Sequence, residues 1–171
     1  MAGIDYAHRA AEIVRDAGGT IVGRTRLQKV AFFLEAAGVG FGFPFRYKHF
    51  GPYSELLAAA TQHASALRLV RETEGAATWG GHYSAYSLNA QLPTAPNPTR
   101  VALANLMVNA DAIELELAAT AAYLALERFP DPWGETARRK PEKADAGRLA
   151  RARQLYQHLR QVPTPRPLPA I

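Results

Sequence analysis

The chain has 171 residues without a cysteine, 48% of them apolar and 20% charged, and its formal net charge is +5. This length fits one compact domain, or one core with a helical extension, and the apolar content excludes global disorder. The absence of cysteine excludes disulfides, thiolate metal sites, iron–sulfur clusters and a cysteine nucleophile. Because no apolar stretch approaches about 18 residues, we expect no membrane partner and take a cytoplasmic protein as the default.

The basic residues concentrate in the last part of the chain. Residues 135–171 hold nine basic and three acidic side chains, whereas residues 93–134 hold two and five. A basic segment of this kind favours an anionic partner such as nucleic acid. The alternative is a solvated, arginine-rich helix face, and composition alone favours this alternative because most charge runs only solvate a surface.

Two helices are predicted in the first forty residues. The first has apolar residues at helical spacing over residues 5–17, with Asp5 as its cap, and a pair of glycines ends it. Thr25 opens the second helix. Gln28 follows three residues later, which predicts a capping box in which each side chain bonds to the other's free backbone donor.

An aromatic segment and a third helix follow. Alternation over residues 43–50 predicts a half-buried strand. Gly51 and Pro52 predict a turn, and Ser54 is expected to cap a helix over residues 55–67.

Two strands complete the first half of the chain. One begins at residues 69–71, and a return strand covers residues 83–88. The order of three helices and a small β-hairpin predicts a winged-helix-like unit over residues 1–90.

The second half is expected to be helical. Residues 91–98 form a Pro-rich linker, and a helical subdomain packed on the first unit covers residues 99–162. Three helices are expected in this subdomain. The first ends near residue 110, the second covers residues 111–127 and the third covers residues 144–162. Asn97 and Asp111 are candidate helix caps, the segment FPDPWG breaks the helical pattern, and the Pro-rich tail 163–171 is extended or disordered. The predicted fold class is therefore mainly α, of the α+β type.

No motif of catalysis or metal binding occurs in a suitable context. The segment GGTIVGRT at residues 18–25 approaches a phosphate-binding loop, but Arg24 replaces the lysine and a helix precedes it instead of a strand. The five histidines lack metal-ligand spacing, and no G-x-S-x-G elbow is present. We therefore expect no catalytic residue, no metal, no cofactor and no enzymatic activity.

Glu114 and Glu116 lie two residues apart on one apolar predicted helix, so their side chains point about 200° apart. One of them is expected to face the interior, where a carboxylate needs a cation. Arg24, Arg26 and Lys29 are the candidate cations. A structural ion pair is favoured over an acid–base pair, which would need both carboxylates on one side.

The segment FRYKHFGPY at residues 45–53 interleaves basic and aromatic side chains, as single-stranded nucleic-acid sites do. The alternative is a strand with one face in the core and the other at the surface. The third helix contains no Arg or Lys, so the usual bidentate contact to guanine is missing, while non-specific phosphate contacts stay open. The candidate residues for binding a partner protein or nucleic acid are Arg26, Lys29, Arg46, Lys48, Tyr53, Arg68, Arg71, Arg148 and Arg151.

Three segments together resemble a known family. They are GRTRLQKVAFFLE at residues 23–35, FRYKHFGPYS at residues 45–54 and LRLV at residues 67–70. The chain resembles the YwgA-type family and is similar to the C-terminal domain of DarG-type antitoxins and, more distantly, to the Panacea antitoxin domain. Residues 113–129 and 138–159 also resemble YwgA-type proteins, so the resemblance covers most of the chain.

The resemblance implies a non-catalytic module, since the better-understood relatives are antitoxin domains that bind and block a toxin. Of the matched positions, Lys29 and Tyr53 are expected to be exposed. The first hypothesis is a winged-helix-like interaction module in a toxin–antitoxin or defence setting that binds a partner protein, with a homodimer as a further option. The alternative is a DNA-binding regulator that uses basic residues of the second helix, the wing and the C-terminal helix.

Overall fold

The structure is a computed structural model that describes residues 2–78 and 80–171. The described residues form α1 (Ala2–Asp16), β1 (Thr20–Val22), α2 (Arg24–Ala36), β2 (Arg46–Lys48), β3 (Gly51–Tyr53), α3 (Glu55–Ala66), β4 (Val70–Ala76), β5 (His82–Leu88), α4 (Pro98–Val108), α5 (Ala112–Leu126), α6 (Pro132–Arg139) and α7 (Arg148–Gln161). The predicted class, mainly helical with a small antiparallel sheet, is confirmed. None of the described helices combines the length and the apolar character needed to cross a membrane.

The three-stranded sheet has the order β1-β5-β4, and both strand pairs are antiparallel. Ile21 on β1 lies opposite Tyr86 on β5. Both side chains are buried, as is Val70 at the start of β4. One face of the sheet therefore covers the core, where β5 contacts α1 and β4 contacts α3.

A second, two-stranded sheet separates α2 from α3. In this hairpin β2 pairs antiparallel with β3, and Tyr47 lies opposite Pro52. The predicted strand over residues 43–50 is wrong in extent, because only Arg46–Lys48 joins the ladder. The predicted turn at Gly51 and Pro52 is displaced, because residues 49–50 form the turn and both predicted residues belong to β3. Proline has no N–H to donate and is tolerated here because β3 is a sheet edge.

The start of α3 is fixed by two side chains. Ser54 caps α3 as predicted, and its Oγ accepts a hydrogen bond from the N–H of Leu57 at 3.1 Å. The capping box predicted for α2 is wrong, because α2 begins at Arg24, Thr25 lies inside it and no side chain caps it. The Gln28 amide instead donates to the Ser54 carbonyl at 2.9 Å and accepts from the Ser54 N–H at 2.8 Å. Buried backbone groups need such partners, so Gln28 joins α2 to the start of α3.

The other helix starts follow the sequence in part. Asn97 and Asp111 cap α4 and α5 as predicted, whereas Asp5 lies within the first turn of α1 and not at its cap. The segment FPDPWG follows the end of α5 and also contains the start of α6. Asp131 caps α6, and Pro132 takes the first helical position, where the missing N–H of proline carries no cost.

α5 connects the two halves of the molecule. It packs on α2, α6 and α7, and its side chains are buried without interruption over residues 115–122. α7 begins at Arg148 instead of near residue 144, after Gly147 in a left-handed conformation. The tail 163–171 forms neither helix nor strand, and it is held in place because Leu168 is buried and the Tyr156 hydroxyl donates to the Pro169 carbonyl.

Candidate functional site

Two buried lysines hold the turn of the β2–β3 hairpin from below. The Nζ of Lys140 donates to the carbonyl oxygen of His49 at 2.8 Å, and the Nζ of Lys29 donates to the carbonyl oxygen of Pro52 at 2.8 Å. These carbonyls lie at the two ends of the segment 49–52. This segment consists of the turn residues 49–50 and the first two residues of β3, and it is called the clamped turn below. The turn is thus fixed on both sides.

One carboxylate on α5, that of Glu116, joins Lys140 to a third lysine, Lys143. Its Oε1 lies 2.7 Å from the Nζ of Lys140, and its Oε2 lies 2.9 Å from the Nζ of Lys143. The Glu116 and Lys140 side chains are each only 5% exposed. Removing one member of such a buried pair costs about 3–5 kcal/mol, because the other charge is left without a partner. A single carboxylate therefore ties the clamped turn and residues 140–143 to α5.

The prediction that one of the two glutamates faces the interior is confirmed. Glu116 is buried, while Glu114 pairs with Arg151 on α7 at 2.5 Å between Oε1 and Nε. Of the cations expected to pair with the buried carboxylate, Arg24 instead pairs with Glu72 on the sheet at 3.2 Å.

Lys29 lies inside the protein, which corrects the expectation of an exposed position. Its side chain is covered because α2 packs against both α5 and β3. Burial lowers the pKa of the Lys29 ammonium to about 7, although the nearby Glu116 carboxylate raises it, and the positive charges of Lys140 and Lys143 lower it further. Lys29 is therefore a structural residue and is not accessible to an external ligand.

Gly51 lets the clamped turn approach α5 closely. Its φ angle is +85°, and a Cβ atom at this position would lie 2.6 Å from the Oγ1 of Thr120. Both the left-handed backbone and this contact exclude a side chain. The glycine of the GPYS motif is needed because the backbone docks directly on a helix.

Phe50, at the tip of the clamped turn, is the most exposed of the large apolar side chains that the structure describes, with 55% of its surface accessible. It lines a cleft of about 540 Å³ together with Val22 and Tyr83, and the charged side chains of Arg24, Arg26 and Glu74 also line this cleft. These two side chains are 49% and 41% exposed. A group of exposed apolar side chains around one cleft is typical of an interaction site. This cleft is called the apolar cleft.

A cationic pocket of about 810 Å³ adjoins Phe50. The Nζ of Lys143, which lines the pocket, lies 4.8 Å from the centroid of the Phe50 ring. The residues lining the cationic pocket are Tyr47, Lys48, His49, Arg139, Lys140, Pro141, Glu142 and Lys143.

Arg139 forms one wall of the cationic pocket. Its guanidinium carbon lies 4.8 Å from the ring centroid of Tyr47 and 5.2 Å from that of Phe129. Its Nε lies 2.8 Å from an oxygen of Glu135. Hydrogen bonds from Arg138 and Arg139 lower the pKa of Glu135 to about 2. Glu135 is therefore ionised at neutral pH and compensates the charge of Arg139.

The structure brings four of the predicted site residues together at the hairpin. Arg46 is exposed and lies opposite Tyr53 in the ladder, and the Nζ of Lys48 lies 5.1 Å from the Tyr53 ring centroid. Tyr53 is half-buried under this lysine instead of exposed as expected. Lys29 lies beneath the same hairpin.

Arg26, another candidate for partner or nucleic-acid binding, has a structural contact instead. Its Nη1 donates to the carbonyl oxygens of Met107 at 3.0 Å and of Ala110 at 2.5 Å. Its guanidinium therefore satisfies the carbonyl end of α4, where a cation is favoured. It does not pair with Glu116, which corrects that expectation.

The remaining predicted residues lie on other elements. Arg68, two residues before β4, and Arg71, the second residue of β4, are both exposed, and β4 packs on β5 and α3. Arg148 and Arg151 lie on α7, which packs on α5 and α4. The structure does not gather these arginines at the hairpin.

The face of α3 that would read bases in a helix-turn-helix protein is not basic. A groove of about 520 Å³ runs beside α3; in it Arg24 pairs with Glu72, and a second carboxylate, that of Glu74, also lines the groove. The other polar side chains of the groove include Gln62 and Ser65. This charge arrangement does not attract phosphates.

Sequence reasoning missed Phe50, Arg139, Lys140 and Lys143 as site residues. The sequence pointed to the lysines in one way only, because a buried glutamate side chain needs a cation as its partner. The actual partner of Glu116 is 24 residues away along the chain and follows a helix that the pattern did not predict. For Phe50 the signal was its place in the alternation of residues 43–50, where it falls on the same side as Arg46 and Lys48.

Comparison of the chain with protein-family models, with curated proteins and with solved structures finds no match.

Proposed function

We propose that this protein is a non-catalytic interaction module that binds a partner protein through the surface around Phe50. This surface combines the clamped turn, the apolar cleft and the cationic pocket. The observation that carries the proposal is the exposure of Phe50 on a turn whose two end carbonyls are held by Lys29 and Lys140.

An exposed aromatic side chain on a fixed turn is well suited to binding. Aromatic anchors account for much of the energy of protein interfaces. A surface that is ordered before binding loses little conformational entropy on association. Burying a phenylalanine side chain stabilises a complex by about 2 kcal/mol, so Phe50 and the two apolar residues of the cleft suffice as the centre of an interface.

We further propose a winged-helix-like body as the support of this surface. The order α1, β1, α2, α3, β4, β5 and the sheet order β1-β5-β4 support it, with β4 and β5 as the wing. The β2–β3 hairpin is then an insertion between the two helices that a short turn joins in helix-turn-helix proteins. The resemblance to YwgA-type proteins and DarG-type antitoxins favours a toxin–antitoxin or defence setting.

A DNA-binding regulator is the alternative function. The exposed Arg68 and Arg71 at the start of the wing favour it. The lack of Arg and Lys on α3 and the carboxylates of Glu72 and Glu74 beside it oppose it. Protein binding therefore ranks first.

The substitution Phe50→Asp tests the proposal. The variant is expected to fold, because this side chain is more than half exposed, and to lose its partner because a charge replaces the apolar anchor. In co-purification from cells of the source organism with quantitative mass spectrometry, we expect at least about tenfold less partner than with the wild type. Leu67→Asp is the matched control, since Leu67 is 43% exposed and lies at the opposite end of α3.

Three outcomes contradict the proposal. The first is equal partner recovery by the two aspartate variants. The second is a homodimer, measured by light scattering, that Phe50→Asp dissociates, because it assigns the surface to a second copy. The third is duplex DNA binding with a steep salt dependence that charge reversal at Arg148 and Arg151 removes, because it favours the regulator.

A further inference from the structure

We infer that the cationic pocket receives one acidic side chain of the bound partner, which presents an apolar residue and a carboxylate side by side. This inference rests on the proposed function and names the chemistry of the partner. The apolar cleft takes the apolar residue and the cationic pocket takes the carboxylate. Phe50 lines the first and lies against Lys143 of the second, so one short peptide segment reaches both.

The floor of the pocket holds more cationic groups than carboxylates. Lys140 and Lys143 share the single carboxylate of Glu116. Lys140 uses two of its three N–H groups, one on Glu116 and one on the carbonyl of His49. The side chain of Lys143 is 32% exposed and faces the opening of the pocket. An acidic side chain there gains an ion pair on a partly desolvated surface.

The rim of the pocket is balanced in charge. Lys48 pairs with Glu55, and Arg138 and Arg139 both pair with Glu135. The exposed Glu142 adds one negative charge at the opening. The positive excess is therefore small, enough for one carboxylate but not for a nucleic-acid strand, whose binding needs a series of cations along its phosphates. This balance favours a protein partner over single-stranded DNA, although the hairpin sequence is basic and aromatic.

Selection from a random peptide library displayed on phage, with the full-length wild-type protein as bait at low ionic strength, tests the inference. The selected peptides are expected to carry Asp or Glu next to Phe, Trp, Leu or Ile. Fluorescence anisotropy then measures the affinity of the labelled synthetic peptides for the variants. Lys143→Glu is expected to weaken binding about tenfold, with a smaller effect at high salt.

Two further variants keep the test decisive even if the Lys143→Glu variant fails to fold. Glu142→Gln removes the rim charge at an exposed position and is expected to tighten binding about twofold. Arg166→Glu, a charge reversal at an exposed position of the C-terminal tail, is the control and is expected to leave the affinity unchanged.

The outcomes separate this inference from the proposed function. The inference is overturned if the selected peptides need Phe50 but lack acidic residues, or if their affinity does not change in the Lys143 and Glu142 variants. The proposed function still stands in both cases. A failure to select any peptide whose binding Phe50→Asp abolishes contradicts the proposed function itself. Binding of an oligothymidine strand that is tighter than that of the peptides and is lost in Lys143→Glu assigns the pocket to nucleic acid.

Discussion

At the scale of single residues, the Lys29 amine lies in the protein interior. It donates a hydrogen bond to the carbonyl oxygen of Pro52, and one carboxylate, that of Glu116, is near it. In the folded protein it loses its proton near pH 7, whereas in the unfolded chain it keeps the proton up to about pH 10.5. Between these values the unfolded state binds more protons, so the contribution of Lys29 to stability rises with pH. Below pH 7 both states are protonated, and the cost of burying the charge is present in full.

The substitution Lys29→Met is expected to remove this pH dependence. We expect the free energy of unfolding by urea of the wild type, relative to that of the variant, to rise by about 1 kcal/mol per pH unit between about pH 7 and pH 10.5. Lys48→Met, at an exposed position, is the control and is expected to show no such slope. A flat difference for Lys29→Met would mean that the buried amine stays charged in the folded protein.

At the scale of elements, the β2–β3 hairpin is stable because it docks on the helices. Two strands of three residues each are too short to be stable in isolation. The hairpin gains its order from the lysine hydrogen bonds at its turn and from the contact of Gly51 with Thr120 on α5. Its position therefore depends on α5, which lies far from it in the sequence.

The substitution Gly51→Ala is expected to destabilise the protein by about 2–4 kcal/mol, because the added Cβ meets Thr120 and the backbone is left-handed. Gly42→Ala is the matched control. Its φ angle is +88° but no atom lies within 4 Å of the added Cβ, so we expect a loss of only about 1 kcal/mol. Urea unfolding measures both. Equal losses would show that backbone strain alone, without the docking contact, sets the cost.

Local chemistry decides which elements the sequence can predict. Ser54, Asn97 and Asp111 were identified as caps because a cap and its helix are neighbours along the chain. The role of Gln28 was not predictable, because its partner Ser54 is 26 residues away. The same holds for the site, since Lys140 reaches His49 across 91 residues. Short-range patterns contain no information about such pairs.

At the scale of the whole molecule, the two halves of the chain share one core. α2 packs on both α4 and α5, and one continuous cluster of buried apolar side chains includes residues of both halves. Separating the halves would expose Phe33 of α2 and Leu117 of α5, which are fully buried. Because so much apolar surface would be exposed to water, the unfolding of either half alone would cost a large amount of free energy.

We therefore expect one cooperative unfolding transition. Far-ultraviolet circular dichroism, which reports the helices, and near-ultraviolet circular dichroism, which reports the buried Tyr86 and Tyr156, are expected to change at the same urea concentration. Two separated transitions, or near-ultraviolet loss before helix loss, would show that the halves are independent.

The uninterrupted burial along α5 has an evolutionary consequence. The residues at 118, 119, 121 and 122 are alanines with no accessible surface, so larger side chains there would force the neighbouring helices apart. By contrast, Phe50, Val22 and Glu142 are all exposed, and changing them disturbs none of the contacts that hold the turn. Mutation can thus alter the binding preference of this chain at a few outer positions while its scaffold stays constant.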